Sequence, residues 1–153
     1  MNYYYLALDY IKKALEDAPF LNTITQGLTP IDTAKKNIFP LAHINPMGAN
    51  VGSGAVLVRF EVTVMDIRNV SKVENVSKFE GNDNEIDNLN TTLGIITHML
   101  TKLKLTVDAN DIEVDSVTDA QPMLMAETNM LDGWRLEITV SVPNNILTVC
   151  CDD

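Results

Sequence analysis

The chain has 153 residues, 46% of them apolar, and 21 acidic against 11 basic side chains give it a net charge of −10. That length suits one domain, 1–153, with a core of its own that needs no metal or disulfide staple. The apolar share excludes a disordered chain, and the charge repels phosphate backbones, which disfavours simple DNA binding but allows a wall that DNA slides past.

Residues 3–17 predict an amphipathic helix. Tyr3, Leu6, Ala7, Tyr10, Ile11, Ala14 and Leu15 recur at helical spacing, and Asp9, Lys12, Lys13, Glu16 and Asp17 fill the other face. Pro19 stops it. Residues 21–25 read as a short strand ended by Gly27. Residues 37–44 read as a second, which Pro40 restricts to an edge or a bent start. Residues 47–54 hold three glycines and read as a turn or loop.

The clearest strand is 55–67. Val56, Val58, Phe60, Val62 and Val64 alternate with Leu57, Arg59, Glu61, Thr63 and Met65, so the even set faces a core. Its length implies a long hairpin arm. Residues 69–85 are polar, contain a six-residue echo (Asn69 to Glu74, then Asn75 to Glu80), and read as a mobile loop.

A second helix is expected over 86–104. Ile86, Leu89, Leu93, Ile96, Leu100 and Leu103 form its apolar face, widened by Ile95 and Met99. Asn82 with Glu85 resembles a capping box. Gly94 costs about 1 kcal/mol against alanine, which points to a close helix–sheet approach. A strand follows near 112–117, then an irregular, methionine-rich stretch over 119–132. Gly133 opens the last strand, 134–142, where Trp134, Leu136, Ile138, Val140 and Val142 form the inward set and Pro143 ends the run. A short apolar run, 146–150, precedes the acidic end. If 55–67 and 134–142 are antiparallel neighbours, pairing Arg59 with Glu137 also pairs Glu61 with Arg135, and sets Phe60 opposite Leu136 and Val62 opposite Trp134. The fold class that follows is α+β: two helices packed on one face of a mostly antiparallel β-sheet, with a long β-hairpin arm.

Few side chains advertise chemistry. The adjacent Cys150 and Cys151 are badly placed to bridge each other and point to a reducing cytoplasm. The N-terminus does not read as a signal peptide, and no apolar window of about 18 residues is present to span a membrane. His43 and His98 lack a second histidine at metal-ligand spacing, so both read as structural. The glycine-rich 48–54 lacks the lysine of a phosphate loop and opens a strand rather than a helix. Asp108, Asp111, Glu113 and Asp115 lack the glycine and terminal glutamate of a calcium loop and read as a solvated strand edge. No nucleophile, base and orienting group assemble, and neither cofactor nor metal is expected. Met123, Met125 and Met130 read as core filler or as a subunit contact.

The N-terminal amphipathic helix leads to Ile38-Phe39-Pro40-Leu41. A glycine-bearing loop then feeds a long strand ending at Asp66, a polar excursion leads to a second helix, and Asp132-Gly133-Trp134 opens a strand closing with Val142-Pro143-Asn144. This arrangement resembles the tail-terminator and neck-ring proteins of tailed bacteriophages. The resemblance implies a structural protein of the virion neck or tail, assembled in the host cytoplasm. Such a protein forms a ring, often hexameric, that caps the tail tube and joins it to the neck and connector proteins while genomic DNA passes without specific binding. A ring of this kind needs one patch on each side of the subunit. The candidate patches are the hairpin arm and the methionine-rich segment before Gly133, and the candidate contact residues are Val70, Val73, Val76 and Phe79 in the polar excursion with Met123, Met125 and Met130. A head-closure or tail-completion adaptor is the alternative within the class, and a small-molecule-binding protein the alternative outside it.

Overall fold

A computed structural model describes residues 2–27, 38–68, 83–106, 110–126 and 130–144. The elements in chain order are α1 (Tyr3–Glu16), β1 (Thr23–Gln26), β2 (Leu41–Val51), β3 (Ala55–Ile67), α2 (Asp83–Leu105), β4 (Glu113–Val117), β5 (Gln121–Ala126) and β6 (Leu131–Pro143). The fold is α+β. Six strands form one sheet in the order β1-β2-β3-β6-β4, with β5 also on β6, and every pairing but β1–β2 is antiparallel.

Period-2 alternation decides which face is covered. Val56, Val58, Phe60, Val62 and Val64 of β3 and Leu136, Ile138, Val140 and Val142 of β6 are buried in one core with Ala7, Tyr10, Ile11, Ala14 and Leu15 of α1. Two hydrogen bonds fasten the helices to the sheet, Trp134 Nε1 to the Leu89 carbonyl at 2.9 Å and Tyr3 Oη to Asn144 Oδ1 at 2.8 Å, and Tyr10 Oη to the Leu103 carbonyl at 2.6 Å joins α1 to α2. Lys102 pairs with Asp17 and ties the two helix C-termini together, which holds the Asp17 carboxyl below its ordinary range.

The buried stripe of α2 differs from the expected one. It runs through Asn88, Thr92, Ile95, Ile96, Met99 and Leu103, while Ile86 and Leu93 are exposed. Two polar residues can enter the stripe because each finds a partner: Asn88 Nδ2 donates to the Ile67 carbonyl at 3.0 Å and Thr92 Oγ1 to the Asn88 carbonyl at 2.6 Å. Nor does Gly94 mark a close approach. It is exposed, and a Cβ there would meet nothing within 4 Å.

The β2–β3 hairpin is longer and less free than expected. Residues 47–51 extend β2 rather than forming a loop, and the turn shrinks to 52–54. The first half of β2 lies between β1 and β3, not at an edge; Pro40 precedes the strand and so takes no N–H from its ladder. β6 pairs with β3 from Ala55–Pro143 to Ile67–Leu131, so the hairpin is built into the sheet along its whole length. Residues 121–126, expected to be irregular, form β5, and β6 begins at Leu131. The expected loop over 69–85 ends by Asp83, where α2 starts; 69–82, including Asn82, and the apolar run 146–150 lie outside the described residues.

β3 and β6 are antiparallel neighbours in a register two residues away from the charge-matched one. Arg59 faces Thr139, Glu61 faces Glu137, Thr63 faces Arg135, Phe60 faces Ile138 and Val64 faces Trp134. A shift of two keeps every side chain on its face. It leaves two like charges opposite each other, with Arg59 reaching Glu137 diagonally at 3.9 Å. Exposed cross-strand charge pairs contribute only about 0.2–1 kcal/mol, too little to set the register against the buried contacts at the other end of the strands.

Candidate assembly interface

Those contacts sit where β3 ends, β6 begins and α2 starts. Carried past Val64, the inward set of β3 reaches Asp66 and then Arg68; carried back from Trp134, that of β6 reaches Asp132. Charges therefore point toward the covered side of the sheet and need partners. Arg68 grips Asp132 through both carboxylate oxygens, Nε to Oδ2 at 2.8 Å and Nη2 to Oδ1 at 2.8 Å. The same Nη2 lies 2.6 Å from Glu85 Oε2 in the first turn of α2. Asp132 is fully buried and the Arg68 side chain only 9% exposed. The Arg68 backbone N–H donates to the Met130 carbonyl at 2.9 Å. One side chain thus joins both stems of the polar excursion, the end of β3 and the start of α2, to the start of β6.

Asp66 faces Asp132 across the strands. Burial pushes its carboxyl above the ordinary value of 3.8, and the neighbouring Asp132 charge adds to this, while the Ile67 N–H opposes it. A raised value in the folded chain stabilises the fold fully below pH 3.8, and that contribution is lost as pH rises through the folded value. At neutral pH the ionised Asp66 is therefore a burden. Asp66→Asn keeps an oxygen for the Ile67 N–H and removes the charge. The variant should be more stable than the parent in urea at pH 7, with the gain shrinking to nothing near pH 4.

The uncovered face of the sheet divides in two. Beside the clamp, Phe39, Leu41, Met65 and Leu131 are buried in a second small core with Ile38 and Ile67. Toward the hairpin turn the face is polar, with Leu57, Arg59 and Thr139 beside Asp115 around an open depression of about 380 Å³.

The two edges of the sheet differ. β4 and β5 lie end to end along β6 and carry the features that discourage further pairing. Both have register breaks, Pro122 lacks an N–H, and Glu113, Asp115 and Asp119 supply exposed charge. On the other side, β1 covers only Leu41–Ile44 of β2. Beyond Ile44, Gly27 donates to the Ile44 carbonyl and no other described residue pairs with the outer edge of β2. After the irregularity at Pro46 this edge reads Met47-Gly48-Ala49-Asn50-Val51, without one charge and with Val51 77% exposed.

Of the expected contact residues, Val70, Val73, Val76 and Phe79 lie outside the described residues. Met123 is half-buried on β5 opposite Gly133, and Met125 lies on the same strand. Met130 is exposed with a φ of 53° beside the Arg68 clamp. The structure thus gathers the methionine candidates at the β5–β6 corner. His43 accepts or donates a 2.8 Å hydrogen bond with Thr25, and His98 stands 4.0 Å from Asp17. Glu113 and Asp115 lie on the edge strand β4, as a solvated edge requires. Among the described residues, no three His, Cys, Asp or Glu side chains gather to hold a metal, and no helix is long and apolar enough to cross a membrane. The chain matches no family model, and no curated protein matches it either.

Proposed function

We propose that this chain is a structural, non-catalytic virion protein that forms a ring at the head–tail junction of a tailed bacteriophage, terminating the tail tube and joining it to the neck. The observation that carries the reading is the contrast between the sheet edges. A protein that works alone guards both edges, because an open strand recruits other chains. Here β4–β5 is guarded by register breaks, Pro122 and exposed charge, whereas β2 has its one break and proline at Pro46, beyond which residues 47–51 are uncharged and open among the described residues. An edge left open on one side only suits a head-to-tail contact, and head-to-tail contacts close into a ring when the rotation between neighbours closes. The polar half of the uncovered face mixes Arg59 and Arg135 with Glu61, Glu137 and Asp115, and a surface of that balance lets DNA pass without holding it.

Light scattering with mass analysis over a wide concentration range tests this directly. A discrete closed multiple of the chain mass, visible as rings by electron microscopy and binding the ends of tail tubes, is the expected result. A monomer at every concentration that also ignores tail tubes would sink the reading.

A further inference from the structure

We infer that the outward face of α2, from Ile86 to Leu105, is where a second copy of this chain docks, its own α2 lying antiparallel across a two-fold axis. The inference does not rest on the ring reading: an α2 pair can stand alone as a dimer or join two rings back to back.

The face is defined by what an exposed helix ordinarily carries. A helix on the surface shows charge on its outer side, as α1 does with Asp9, Lys12, Lys13 and Glu16. In α2, residues 88–101, about four turns, contain no Asp, Glu, Lys or Arg. α1, β3, β4 and β6 pack on α2, and its buried stripe faces them. On the opposite side Ile86, Leu93 and Leu105 are 45%, 39% and 76% exposed. Between them Asn90, Gly94, Thr97 and Thr101 are exposed as well. The two threonines add little polarity. Thr97 Oγ1 donates to the Leu93 carbonyl and Thr101 Oγ1 to the Thr97 carbonyl, both at 2.8 Å, so each hydroxyl is spent on its own helix and each methyl group is left for a neighbour. Gly94 lies in the middle of the face. It costs its helix about 1 kcal/mol against alanine, and a Cβ there would meet nothing beyond its own helix within 4 Å. A second helix crossing at Gly94 gives the missing side chain a use, because the distance between packed helices is set by the side chains at their crossing.

Charge selects the occupant and its direction. α2 opens on Glu85 and Asp87 and closes on Lys102 and Lys104. Among the described residues, neither Asp87 nor Lys104 has an ion partner in its own chain. Two α2 helices in parallel would set acid on acid and base on base. In an antiparallel pair centred between Gly94 and Ile95, Asp87 of one copy stands level with Lys102 of the other, and Glu85 with Lys104. The helix macrodipoles are then opposed as well. A charge-free centre with opposite signs at its two ends is complementary to itself, as a two-fold contact requires.

Mild oxidation of single-cysteine chains, each also carrying Cys150→Ser and Cys151→Ser, tests the pairing. At least one of Leu93→Cys, Gly94→Cys and Thr97→Cys, beside the axis, should give a disulfide-linked dimer on non-reducing gels. Ile86→Cys and Leu105→Cys should not, because the antiparallel arrangement carries each end far from its mate. In the native background, Leu93→Lys brings two ammonium groups together beside the axis. It should weaken the two-fold association at least about tenfold by sedimentation equilibrium while leaving the circular dichroism unchanged, since Leu93 packs in no core. Asp87→Lys should weaken it several-fold by setting base on base. Dimers linked through the end positions, or none linked through any central one, overturn the inference. So does a Leu93→Lys chain that associates as tightly as its parent. Central thiols that neither cross-link nor react with a maleimide in the monomer would show the face covered by its own chain, which overturns it too.

Discussion

Replacing Arg68 with alanine should destabilise the fold by about 3–5 kcal/mol, the range for stranding one partner of a buried ion pair. Asp132 is fully buried, and both of its oxygens accept from the one guanidinium. Without Arg68 the carboxylate keeps its desolvation cost and loses its counter-charge, and a carboxylate so placed is driven to bind a proton. For a chain of this size the fall in Tm should be on the order of 10 °C, and it should narrow as the pH is lowered. Arg68→Lys should fall between the two, since an ammonium restores charge but not the two-pronged grip. The double variant Arg68→Met with Asp132→Leu should recover most of the loss, because replacing both partners by apolar groups removes the stranded charge. Thermal unfolding of the three variants distinguishes a clamp from a surface charge, for which every change would stay within about 0.5 kcal/mol. If Arg68 also holds the stems of the excursion together, Glu85→Gln should weaken ring assembly more than it weakens the fold, because Glu85 is the lesser partner in the core and the one that reaches α2.

The layers of this fold were legible because both long strands alternate strictly and α1 keeps one apolar stripe. Strand β3 falls at 55–67 as expected, and the inward sets of β3 and β6 are those that the alternation picks out. What was not legible follows from the same physics. The α2 stripe includes Asn88 and Thr92, which a hydrophobicity pattern assigns to solvent until their partners are known. The charge-matched register rests on Arg59, Glu61, Arg135 and Glu137, which are exposed or half-buried, whereas the decisive charges point inward. The signal was present: extending the alternation four residues past Val64 and two residues back from Trp134 places Asp66, Arg68 and Asp132 on the buried side, where they must find one another. The glycine that reads as a close-approach marker on composition alone, Gly94, lies free of neighbours. The edges could not be ranked at all from composition, since only the pairing pattern tells which strand is left uncovered.

Close approach is concentrated instead at Gly133, and Gly133→Ala should be among the most damaging single changes in the chain. Gly133 lies in β6 opposite Met65, between β3 and β5, and is buried. An added Cβ would stand 2.8 Å from the Met65 Cα and 2.9 Å from the Val64 carbonyl carbon, and closer still to the Val64 oxygen. All three are backbone atoms of the central strand, so no side chain can swing aside. Relief requires β3 and β6 to part, and parting them disturbs their ladder beside the Asp132–Arg68 grip, one residue away. Overpacking of a well-filled site costs about 1–3 kcal/mol when side chains absorb it; here only the backbone can move, so the loss should exceed that range. Gly94→Ala is the matched control. It adds the same methyl group on an exposed helix position with nothing within 4 Å and should stabilise the chain by up to about 1 kcal/mol. Urea unfolding of the two variants side by side separates them: opposite signs are the expected outcome, and a Gly133→Ala chain as stable as its parent would mean that β3 and β6 do not approach as closely as the structure has them.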